Sequence, residues 1–110
     1  MLLEELRHGA DGTMTGFGFS EILVDICTRW FTGDHDGAAH SFYQACPLIR
    51  YENQPGINLA IRKYIYMRRG AISHAHVRAP SSPLPADVIA DIHDIVTRLN
   101  LAHHFKGGIA

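Results

Sequence analysis

The feature that most constrains this sequence is a single short run with strand character set among segments that are otherwise helical. In "GTMTGF" (Gly12–Phe17), Thr13 and Thr15 fall on one face and Gly12, Met14 and Gly16 on the other. A strand carries unpaired backbone donors and acceptors along both edges, and each edge needs a partner. Nothing else in the chain reads as a strand. The sequence therefore predicts a mostly α-helical chain with one short strand near residues 12–16. This is the pattern left by the end of a repeated βα architecture whose other strands lie elsewhere.

The helical segments follow from spacing and punctuation. "LLEELRH" (Leu2–His8) has helical periodicity but no capping residue before it, as though the helix began earlier. Ser20 and Glu21 supply an N-cap and a first-turn acid, and Leu23, Ile26, Cys27, Trp30 and Phe31 recur at helical spacing up to Gly33. Asp34 caps the next helix, whose apolar stripe runs through Ala38, Ala39, Phe42, Tyr43, Ala45, Cys46 and Ile49, with Pro47 expected to kink it or begin a new segment. After the break "NQPG", "INLAIRKYIYMRR" is apolar nearly all round and is expected to be buried, with Gly70 as its C-cap. Residues 71–85 carry Pro80, Pro83 and Pro85 and read as an extended surface crossing. Val88, Ile89, Ile92, Ile95, Val96 and Leu99 form a last amphipathic helix, and the tail "HHFKGGIA" is expected to fray.

At 110 residues the chain holds one domain at most, and 46% hydrophobic against 19% charged residues is a core-forming composition. A formal net charge of -1 gives no field for a polyanion, so nucleic acid is not an expected partner. No apolar run approaches a membrane span and no signal peptide opens the chain, so no membrane partner is expected. Cys27 and Cys46 both lie in helical patterns rather than in a disulfide framework, which points to a reducing compartment, the cytoplasm.

The glycine-rich stretch "GADGTMTGFG" invites a phosphate-binding reading, but it is neither GxGxxG nor a Gly-Lys-Ser/Thr loop. A tight turn at Gly9 with close backbone packing is the plain alternative. A third reading is that glycines flanking Met14 leave one strand face bare, with room for a small ligand. Eight histidines are present, but His74-x-His76 and His103–His104 lack the spacing and companions of a metal set, so no metal is expected. There is no G-x-S-x-G elbow. Only Lys63 and Lys106 could form a Schiff base: Lys106 lies in the tail, and Lys63, beside Arg62 on the apolar helix, more simply extends to the helix surface. Tyr51, Tyr64 and Tyr66 read as core or interface anchors.

From Leu2 to Leu101 the chain resembles the C-terminal end of the dihydrodipicolinate synthase / N-acetylneuraminate lyase family. "GADGTMTG" looks like that family's eighth barrel strand. "TGDHDGAAHSFYQACPLI" looks like its loop, Gly-Asp helix start and long helix. "INLAIRKYIYMRRG" and "VRAPSSPL" resemble a following helix and the Arg-x-Pro crossing before the last one. The order and spacing of the four stretches carry the match.

The resemblance implies a C-terminal fragment of a (β/α)8 TIM barrel, of class α/β, which in full needs about 250 residues. Residues 1–33 would be the end of the barrel (last part of the seventh helix, eighth strand and eighth helix) and residues 34–110 the C-terminal helical region. It also implies class I aldolase-type chemistry, in which a lysine on the sixth strand forms a Schiff base with a small 2-oxo acid and a tyrosine on the fifth relays protons, with no cofactor and no metal. Neither residue is expected in this chain, which would hold no catalytic residue and be inactive and poorly folded alone. By resemblance Met14 would face the lysine, with Gly12 and Gly16 on the same pocket wall. Gly16 replaces a serine of the sialic-acid lyases, and with "GFGF" and "RYENQPGINLAIRK" it leans the reading toward 2-keto-3-deoxy sugar acids. The full-length protein would be a homo-oligomer. The competing reading is a stand-alone helical interaction or oligomerisation module without catalysis.

Overall fold

The computed structural model describes residues 1–109. Its elements are α1 (Leu2–Arg7), α2 (Ser20–Phe31), α3 (His35–Glu52), α4 (Asn58–Arg68) and α5 (Ala86–Arg98), followed by one 3₁₀ turn (Ala102–His104). The expected strand is not formed. Residues 10–17 have no regular secondary structure, and the described residues contain no strand at all. The reason is the one the sequence raises: a strand is defined by its ladder, and no second segment offers an edge. The alternation of side chains is a local property, whereas the pairing is not.

The chain divides into two compact units, residues 1–46 and the residues from Pro47 onward. The core of the first is built from Leu3 and Leu6 of α1, Phe17 and Phe19 after the glycine run, Leu23 and Ile26 of α2, and Ala38, Phe42 and Ala45 of α3. α1 ends in a turn closed by Gly9 at φ +98, where only glycine is unstrained. α2 starts at Ser20 as expected, but Phe19 occupies the cap position and no side chain caps the helix. Asp34 does cap α3, its Oδ1 accepting the Gly37 amide at 2.9 Å. Arg29 of α2 ties that corner together. It bonds Asp25 at 3.0 Å and Asp34 at 3.1 Å, while Ser41 of α3 donates to Asp25 at 3.1 Å. Trp30 stacks on His35 with ring centres 3.8 Å apart and planes 12° off parallel.

α3 runs unbroken through Pro47 rather than starting afresh there. Proline removes one helix bond, to the carbonyl of the residue four before it, here the exposed Tyr43. The division between the two compact units falls at this proline.

The second unit buries Leu48 and Ile49, then Ala60, Ile61, Tyr64 and Ile65 of α4, Val77 of the crossing, Ile92 and Val96 of α5, and Phe105. α4 is buried on one face only rather than all round as expected, with Leu59 49% exposed, and Gly70 closes it at φ +80. Glu52 is 0% exposed and is held by Arg62 Nε at 2.7 Å. Tyr51 donates to Asp91 of α5 at 2.7 Å. Burial and that acidic partner push its phenol up to about 12. The tail through residue 109 does not fray as expected; Ala110 lies outside the described residues. After the 3₁₀ turn Phe105 is 2% exposed, and the carbonyl of Gly108 accepts a bond from Arg68 at 2.6 Å.

Candidate functional site

The glycine run and α2 together form the site that the sequence singles out. Residues 11–15 are exposed, Gly16 is half-buried, and Phe17 through Phe19 are buried and anchor the run's far end. Within 11–15 no hydrogen bond to another described residue is made, so five consecutive residues present open backbone groups. Thr13 and Thr15 face α2. With Asp11, Gly12 and Ser20 they form one wall of a groove of about 620 Å³, whose floor is Leu23, Val24, Cys27, Thr28 and Phe31. Val24 and Phe31 are exposed, so the α2 side of this groove is apolar and uncovered.

Of the three residues expected on the pocket wall, Met14 is 99% exposed, pointing away from the groove that Thr13 and Thr15 line. A Cβ added at Gly12 would meet nothing within 4 Å. Nothing described in this chain therefore demands a glycine there, in contrast to Gly9, whose positive φ does. The groove's lining contains no lysine, histidine or tyrosine. Its one thiol, Cys27, is pushed up by burial and so is held as the unreactive neutral form. Cys46 is raised in the same way, with Glu4 adding to the effect. The arrangement can bind and exclude water; its one carboxylate is Asp11, and it offers no lysine for a Schiff base.

The two lysines do not form a Schiff-base site either. Lys63 Nζ donates to the carbonyl of His76 at 2.9 Å, bracing the proline-rich crossing against α4. The Lys106 side chain lies over Gly70. Among the described residues no cluster of three or more histidine, cysteine or carboxylate side chains could hold a metal ion. No helix among them is long and apolar enough to cross a membrane.

One polar cluster was not visible in the sequence. The Tyr64 hydroxyl lies 2.6 Å from His93 Nε2, and Arg68 Nη1 is 3.0 Å from both. A guanidinium can only donate, so Nε2 is the unprotonated acceptor and the ring proton sits on Nδ1. The i, i+4 spacing of Tyr64 and Arg68 is readable from sequence. Their convergence with His93 and the tail is long-range and is not.

No protein-family profile matches the chain. An L-2-keto-3-deoxyarabonate dehydratase of Azospirillum brasilense is 37% identical over 100 residues, covering 90% of this chain and 32% of the relative. The crystal structure of a dihydrodipicolinate synthase from Rhodopseudomonas palustris superposes with a TM-score of 0.85 at 36% identity, covering 87% of this chain and 32% of that one. The chain thus spans about a third of the length of each protein it matches. That also accounts for the extended run without a partner strand, since the matched portion of a (β/α)8 barrel leaves out most of the strands. In sequence and in fold, the chain corresponds to the C-terminal portion of the dihydrodipicolinate synthase family.

Proposed function

We propose that this chain is the C-terminal part of a Schiff-base-forming lyase that condenses, cleaves or dehydrates a small 2-oxo acid, and that it is inactive by itself. Residues 1–33 supply the end of the barrel and residues 34–110 the appended helical region. In the intact enzyme, which this reading makes a cytoplasmic homo-oligomer, the lysine and the proton-relaying tyrosine come from earlier strands. Gly12, Met14 and Gly16 form the part of the pocket wall this chain contributes. They position substrate and exclude water, and they hold no reacting group. The substrate class we favour is a 2-keto-3-deoxy sugar acid, in keeping with the dehydratase relative.

The observation that carries this reading is the open run 11–15, where Met14 is fully exposed and Gly12 has space around it that no described residue fills. A glycine with no steric reason inside the chain has its reason in what the chain meets. The test is trapping. Incubated with pyruvate and borohydride, the 110-residue protein keeps its mass, because Lys63 is tied to the crossing and Lys106 to the α4 cap. A reduced adduct on either lysine would overturn the proposal.

A second reading, a stand-alone helical module, is favoured by one observation. The residues from Pro47 onward bury their own core, and the described residues leave no buried side-chain nitrogen or oxygen without a partner. It predicts a cooperative melting transition and a defined oligomer from this chain alone.

A further inference from the structure

The tail is held by one side chain that does three things at once. Arg68 Nη2 bonds the Gly108 carbonyl at 2.6 Å, Nη1 bonds the Tyr64 hydroxyl, and its guanidinium carbon sits 5.1 Å over the Phe105 ring. The Arg68 carbonyl also takes the Lys106 amide at 2.6 Å. Phe105 in turn packs edge-on against both Tyr64 and His93. We infer that the Tyr64–His93–Arg68 cluster is a proton-operated catch that holds the C-terminal segment 105–108 while His93 is neutral and releases it when His93 is protonated.

The logic rests on the geometry at Nε2. Two donors converge there, Tyr64 and Arg68, and a proton on that nitrogen removes the acceptor from both. It also places a second cation 3.0 Å from the guanidinium. Displacing the Arg68 guanidinium breaks the Gly108 bond and uncovers the Tyr64 and Phe105 rings. Among the described residues no acid side chain is placed to neutralise the new charge. α4 presents Tyr64 and Arg68, the tail presents Phe105 with Lys106 beyond it and His103 and His104 before it, and the crossing presents His76 near Tyr64. On α5 itself Asp91 is engaged by Tyr51, and Asp94 by Arg98. Burial, and then Arg68, lowers His93 below its ordinary 6.5. The unfolded segment therefore takes up a proton before the folded one does. Stability of the catch is complete above the ordinary histidine range and falls as pH drops from 6.5 toward the lowered value.

The experiment is amide hydrogen exchange on the full chain from pH 8 to pH 5, corrected for intrinsic exchange, together with the imidazole resonances of His93. The Lys106 and Gly108 amides should lose protection by about tenfold for each unit by which His93 is lowered, while the amides of α2 stay unchanged. His93→Gln, which keeps an acceptor but does not titrate, should keep the tail protected across the range. Four results would overturn the proposal: a His93 midpoint at or above 6.5, a tail already unprotected at pH 8, a His93→Gln tail that follows the wild-type curve, or α2 amides that fall along with the tail.

Discussion

The two compact units solve the same problem in opposite ways. From Pro47 onward, polar groups are satisfied internally: buried Glu52 by Arg62, Tyr51 by Asp91, and the tail carbonyl by Arg68. In residues 1–46 the stretch 11–15 makes no hydrogen bond among the described residues. Charge divides along the same line. The first unit carries two arginines against seven acids, a net of -5, and the second eight lysines and arginines against four acids, a net of +4. The near-zero total of the whole chain hides this division. One unit is closed on itself, and the other carries the open surface.

Three substitutions would break or sharpen that contrast. The largest effect is expected in the closed unit. Arg62→Leu leaves Glu52, 0% exposed, without its guanidinium, and urea denaturation should show a loss of about 3–5 kcal/mol; a loss below about 1 kcal/mol would mean that the unit does not depend on pairing its buried charge internally. A middle effect is expected at the helix start in the first unit. Asp34→Ala removes the acceptor for the Gly37 amide and should cost about 1 kcal/mol, read as a shift of the urea midpoint. The smallest is expected in the open run. Gly12→Ala meets nothing within 4 Å and should change the stability of the isolated chain by no more than about 0.5 kcal/mol. If the same change in a full-length enzyme lowered kcat/KM while leaving stability untouched, the glycine's role would lie in the pocket. A clear loss of stability in the short chain would instead make it structural.

What the sequence made legible was local. Gly33 and Gly70 end helices at positive φ, and Asp34 caps α3, because each of these depends on residues a turn away. The alternation in Gly12–Phe17 was legible in part: Thr13 and Thr15 share the face toward α2 and Met14 is exposed away from it, but Gly12 lies with the threonines. Whether that run forms a strand depends on partners the chain does not contain, and alternation alone says nothing about them. Ser20 had the composition of a cap, but Phe19, drawn into the core, takes the cap position. The tail failed for the converse reason. "HHFKGGIA" has the composition of a frayed end, and what pins it is a contact between Arg68 and Gly108, forty residues apart. The family resemblance reached further than either pattern, because motif order carries information about a fold of which this chain matches only about a third.

The stacking of Trp30 on His35 has a practical consequence. Trp30 is the chain's one tryptophan and lies in residues 1–46, whereas three of its four tyrosines, Tyr51, Tyr64 and Tyr66, lie beyond Pro47. Excitation at the red edge, where only indole absorbs, therefore reports on the acidic unit alone, and tyrosine absorbance reports mainly on the basic one. The molecule carries its own two-colour label, and a single denaturation series read in both channels would tell whether its halves melt as one body or in sequence.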